Sequence, residues 1–207
     1  MMDPLYVRLD RSADVQSILF GLLEHGLDVC QSNFGNVQLM NWNTGHLQIK
    51  VQRGFQQEFL NFFECVKLSD CSACAQALRI REPIIIEDVM LDPQFARYRD
   101  ILCRAGVRAV QSTPMLSTSG ALVGIFSTHF PTSHRPTDSE LLAVRAAAHW
   151  AANAIIRVRA SADGQDTNRL KNSLRLLRES RVIIKRANQT LLQNPFGEHA
   201  EMPRVLS

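Results

Sequence analysis

A chain of 207 residues with 45% hydrophobic content can bury the core of one ordinary domain and carry an appendage, but it is too short for two full domains. Its longest apolar runs, Ile84 to Ile86 and Ala146 to Ile156 broken by His149 and Asn153, fall short of a bilayer span, so no membrane partner is expected. The net charge of +3 is uneven: residues 166–194 hold seven basic side chains against two acidic ones, which leaves the remainder at −2.

The opening Met1-Met-Asp-Pro-Leu-Tyr6 has neither the basic start nor the apolar middle of an export signal, so a cytoplasmic location is expected. Five cysteines, an odd number, then argue for reduced thiols and against a disulfide framework. From Ser12 to Cys30, Val15, Ile18, Leu19, Leu22, Leu23 and Leu27 recur at helical spacing, with Ser12 placed to cap. Two β-prone runs, 36–42 and 46–53, flank Asn43-Thr-Gly45 and predict a hairpin. A short helix over 56–64 turns Phe59, Leu60 and Phe63 inward, and a second runs from about residue 70 to Ile80. The β-branched run Ile84-Ile-Ile86 predicts a strand covered on both faces. After the turn at Asp92-Pro93, a helix spans 95–104 and ends at Gly106.

Two further strands, 110–116 and 121–130, join through Ser117-Thr-Ser-Gly120. Thr137 and Glu140 have the spacing of a capping box, which starts a long helix reaching about Arg159. Ser161-Ala-Asp-Gly-Gln165 interrupts the helical pattern. Beyond it, Leu170, Leu174, Leu177, Ile184 and Leu191 lay out a coiled-coil-like seam on a basic helix, ended by Pro195. Hairpin-paired strands with helices before, between and after them make an α+β fold: a mainly antiparallel sheet of five to six strands with helices on both faces, plus a long C-terminal helix. The expected divisions are an extension at 1–11, a main domain at 12–160, a linker at 161–166, a helix at 167–194 and a flexible tail at 195–207.

Several short segments occur in a telling order: Gly35-Asn-Val-Gln-Leu39, Arg53-Gly-Phe55, Phe59-Leu-Asn-Phe-Phe63, Glu87-Asp-Val89, Gln111-Ser-Thr-Pro114 and Gly120-Ala-Leu-Val-Gly-Ile-Phe-Ser-Thr-His-Phe130. In that order the chain resembles the GAF domains of bacterial signalling proteins, over roughly residues 12–160. The resemblance implies a small-ligand sensor and not an enzyme, with the pocket between one sheet face and the segments inserted at about 56–109. Polar residues within the apolar strands are its wall candidates: Gln111, Thr113, Thr128 and His129. Strand alternation puts Gln111 and Thr113 on one face, and sets Thr128 opposite to Ser127 and His129.

The Cys-His dipeptide of bilin-binding relatives does not occur, nor does the Asn, Lys, Phe, Asp, Glu signature of cyclic-nucleotide-binding ones. No cofactor or ligand is named by these residues. Relatives that reduce free methionine sulfoxide use several cysteines, but the strand Val123-Gly-Ile-Phe-Ser-Thr128 has no carboxylate of the kind those enzymes place there. Cys71-Ser-Ala-Cys74 at a helix start is a redox candidate, because helix-end N–H groups stabilise a thiolate. A solitary C-x-x-C lacks the second pair of a zinc site, so no metal is expected.

The basic helix resembles the helices that follow GAF domains, and implies a homodimer with a histidine kinase or response regulator as downstream partner. Ser180-Arg-Val-Ile-Ile-Lys-Arg-Ala187 also resembles the first helix of the RNA-binding antiterminator module ANTAR, but the chain ends before that module's other helices. Charge on a lone helix is usually a solvated face, and nucleic acid is not expected as a partner.

Overall fold

The computed structural model describes residues 11–160 and residue 175. The expected linker, C-terminal helix and tail lie outside these residues apart from residue 175, as does the extension up to residue 10. The first helix, α1 (Arg11–Val29), leads into β1 (Phe34–Asn41) and β2 (His46–Arg53). Then follow α2 (Gln57–Phe62), β3 (Val66–Lys67), α3 (Ala73–Ile80) and β4 (Ile84–Ile86). A 3-10 turn (Pro93–Tyr98) continues directly into α4 (Arg99–Arg104), and β5 (Ala109–Leu116), β6 (Leu122–Phe130) and α5 (Asp138–Ala160) complete the domain.

All strand pairs are antiparallel, in the order β3-β2-β1-β6-β5-β4. The β1–β6 register aligns Asn36 with Ser127 and Phe34 with His129, and the β5–β6 register aligns Gln111 with Thr128. Contact between β1 and β6 is close enough that a β-carbon at Gly124 would run into the Gln38 carbonyl. Ile84-Ile-Ile86 forms an edge strand paired only with β5, and Ile84 and Ile85 are half-buried. A triple β-branched run therefore arose from partial cover at an edge, and not from the two covered faces expected.

Strand alternation sends side chains to two separate cores. On one face Val37, Leu39, Phe126 and Phe130 pack beneath α1 and α5. Leucines of α1 meet a stripe of alanines on α5, including Ala148, Ala151 and Ala152, and the small side chains let the two helices sit close to the sheet. The opposite face is covered by the inserted elements, with Phe55, Phe59, Phe63, Leu78, Phe95 and Leu102 packed over Leu47, Val110 and Ile125.

Helix α5 begins as a reciprocal capping box: the Thr137 N–H donates to Glu140 Oε2 at 2.7 Å, and the Glu140 N–H donates to Thr137 Oγ1 at 3.3 Å. Further along, Asn153 Oδ1 accepts from the Thr118 N–H at 3.0 Å, and His149 Nδ1 lies 2.7 Å from the Leu116 carbonyl. The β5–β6 turn is thereby fastened to the middle of α5. Among the described residues no helix is long and apolar enough to cross a membrane.

Candidate functional site

The inserted helices do not seal completely against the sheet. They leave a cavity of about 30 Å³, floored by Asn36 and Gln38 of β1, Val110 of β5 and His129 of β6. Phe59 and Phe63 of α2, Phe95 and Tyr98 of the 3-10 turn, and Leu102 of α4 roof it, and Ser72 and Ala73 at the start of α3 close one side. Aromatic packing holds the roof in place. Phe55 stacks on Phe59 with centroids 3.9 Å apart, and the His129 ring stands perpendicular to both at 4.9 and 5.8 Å.

Two polar atoms on this wall have no hydrogen-bond partner, Asn36 Oδ1 and His129 Nδ1, although their residues are only 4% and 5% exposed. Leaving such an atom unpaired costs about 1–3 kcal/mol, so the fold maintains an unsatisfied polar floor under an aromatic roof. Burial pushes the His129 imidazole down to about 3, so the ring is neutral at physiological pH. The Tyr98 phenol is raised, chiefly by burial. Beside the cavity, the buried Ser112 and Ser127 hydroxyls satisfy each other at 2.8 Å.

Of the four wall candidates drawn from the sequence, His129 alone lines this cavity. Gln111, Thr113 and Thr128 lie on the other sheet face, sharing it with Ala109, Met115 and Phe126 beneath α5. Thr128 sits beside the Cys30 thiol, which burial raises to about 12. His134, whose ring stacks on Phe130 at 3.7 Å, does not line the cavity. The floor residues that sequence reasoning passed over are Asn36 and Gln38. Their signal was the alternation in Asn36-Val-Gln-Leu39, which places both amides on the face opposite to Val37 and Leu39.

The two redox candidates are separated by the helix start between them. Ser72 is the N-cap of α3, accepting from the Ala75 N–H at 3.4 Å; Cys71 lies outside the helix and exposed, and Cys74 lies within it and buried. Burial raises the Cys74 thiol and outweighs the hydrogen bonds from Ser72 and the helix end. Elsewhere, Cys65 Sγ lies 2.8 Å from His46 Nδ1 where β3 meets β2, a pairing the sequence spacing did not suggest. Among the described residues, no group of three or more His, Cys, Asp or Glu side chains could hold a metal ion.

A six-stranded antiparallel sheet, two long helices on one face and short inserted helices roofing an aromatic cavity on the other define the architecture of an α+β module with a cavity on one sheet face. The GAF domain family matches residues 11–155, and the chain belongs to it. Members of this family are generally sensory and regulatory and not catalytic. A methyl sulfide methyltransferase-associated sensor of Methanosarcina acetivorans is 30% identical over 78 residues, covering 38% of this chain and 8% of that protein's length.

Solved structures share the fold. The GAF domain/HD domain protein of Geobacter sulfurreducens superposes with a TM-score of 0.61 at 15% identity, over 73% of this chain and 99% of that one. The GAF-B domain of DevS from Mycobacterium smegmatis gives 0.54 at 17% identity, over 70% and 96%.

Proposed function

We propose that this protein is a GAF sensor whose ligand occupies the cavity floored by Asn36 and His129, and whose terminal helices pair in a homodimer that reports occupancy. The observation that carries this reading is the pair of unpartnered polar atoms, Asn36 Oδ1 and His129 Nδ1, held beneath aromatic rings. A ligand that satisfies them recovers the cost of burying them unpaired, and its binding shifts packing only as far as it prefers one arrangement over another. For pairing, the outer faces of α1 and α5 offer Phe20 and Leu142, which are 51% and 71% exposed. A cytoplasmic histidine kinase or response regulator fits as the downstream partner, since GAF domains occur in sensor kinases.

Native mass spectrometry of protein purified from its own cells tests the reading. The expected result is a dimer carrying a bound small molecule, which is lost when His129 is replaced by Phe. A ligand-free protein, together with a monomer by light scattering at micromolar concentration, would refute both halves of the proposal.

A further inference from the structure

The wall of the cavity narrows the chemistry of what it accepts. We infer that it selects a compact, uncharged group carrying both a hydrogen-bond donor and an acceptor, of the primary-amide kind, over an anion of the same shape. This rests on reading the cavity as the ligand site.

Three observations converge. None of the eleven residues lining the cavity is Lys, Arg, Asp or Glu. A buried charge is costly unless it is paired, and this wall offers no charged side chain of either sign.

The unpartnered atoms then set the pattern of hydrogen bonds. Asn36 Oδ1 is an acceptor and needs an N–H or O–H from the ligand. His129, a neutral ring buried on all sides, presents Nδ1 as either donor or acceptor according to its tautomer. An amide meets both, because it brings N–H groups and a carbonyl on one planar edge. A carboxylate brings acceptors only, and would set its charge against the Asn36 oxygen. An ammonium brings donors only, together with a charge the wall does not balance.

Size gives the third limit. A cavity of about 30 Å³ has room for about two water molecules. A group of a few non-hydrogen atoms enters without moving Phe59 and Phe63, whereas a ring must displace them.

Formamide and formate, a neutral molecule and an anion of nearly the same outline, separate the alternatives. Each is titrated into 15N-labelled protein at constant ionic strength and followed by two-dimensional amide NMR. So small a ligand binds no tighter than about 0.5 mM, so the titration must reach tens of millimolar. The expected result is saturable shifts with formamide, confined to Asn36, His129 and the residues around the cavity, and at least tenfold weaker binding of formate. Asn36→Leu should abolish the saturable response while leaving the rest of the spectrum in place; should that variant fail to fold, the wild-type comparison still decides. Equal or tighter binding of formate overturns the inference, and so does the absence of saturation with either probe. An anionic molecule found in the cavity of the native protein would overturn this inference while leaving the ligand-site reading intact.

Discussion

Lowering the pH from 7.5 to 5 should weaken the fold through His129 alone by about 2 kcal/mol. Its imidazole titrates near 6.5 when solvated and near 3 in the fold, where burial penalises the charged ring. The sign follows from which state binds the proton. Below 6.5 the unfolded chain takes up a proton that the folded chain refuses, so stability is full above 6.5, falls between 6.5 and 3, and is level below 3. At about 1.4 kcal/mol per pH unit, pH 5 costs about 2 kcal/mol and the whole interval about 5. The residue is 5% exposed, so solvent screening removes little of this. Urea unfolding followed by circular dichroism at pH 7.5, 6.5, 5.5 and 5 measures the slope, and the same series on His129→Phe subtracts every other titrating group. The variant's stability at any single pH does not matter; only its slope does. If wild type and variant lose the same stability between pH 7.5 and 5, the imidazole is not held neutral by burial and the description of the cavity floor is wrong.

Gly124→Ala pushes a methyl group into the Gln38 backbone carbonyl, which cannot swing aside as a side chain could, and should cost about 3 kcal/mol or more by thermal unfolding. Gly45→Ala, in open space but at φ +71°, should cost only about 1–2 kcal/mol, and equal losses at the two sites would contradict the close β1–β6 approach. Asp88 accepts from two Arg108 nitrogens at 2.6 and 2.8 Å and from the Met90 N–H at 2.9 Å, and the guanidinium hydrogen bonds hold its carboxyl below the ordinary 3.8. A depressed carboxylate stabilises the fold above its unfolded value and loses that effect as the pH falls through its folded value. Asp88→Asn should therefore lower the melting temperature at pH 7, with the gap to wild type narrowing as the pH falls into acid; a gap that stays constant as the pH is lowered would rule out ionisation as its source. Iodoacetamide at pH 8, read by peptide mass spectrometry, should label Cys65, Cys71 and Cys103 in the folded protein and reach Cys30 and Cys74 only after unfolding in guanidinium. Labelling of Cys74 as fast as Cys71 would favour the redox reading of that pair.

Local rules located most elements because local chemistry forms them. The capping box starts α5, and the runs flanking Asn43-Thr-Gly45 form β1 and β2 with Gly45 at positive φ. β3 escaped notice because two residues carry no pattern of their own; Val66 and Lys67 are strand only because Leu47 and His46 pair with them. The helix expected over 95–104 instead starts at Pro93 and runs as a 3-10 turn through Tyr98 before α4, with Asp92 Oδ1 accepting from the Gln94 N–H at 2.9 Å. In the site, strand alternation correctly paired Gln111 with Thr113 and set Thr128 against His129. Which face held the cavity depends on where α2, α3 and α4 come to rest, a matter of contacts far apart in sequence. No local pattern carries that information, and so Asn36 and Gln38 were legible as a pair on one face without being legible as a floor.

The strand β6 has one further property. Residues 127 to 130 address the two halves of the molecule in turn, with His129 under the aromatic roof and Thr128 and Phe130 under the long helices. The partition between the two compartments is a single layer of backbone, so a shove on the imidazole is felt by its covalent neighbours on the far side without any relay of intervening side chains.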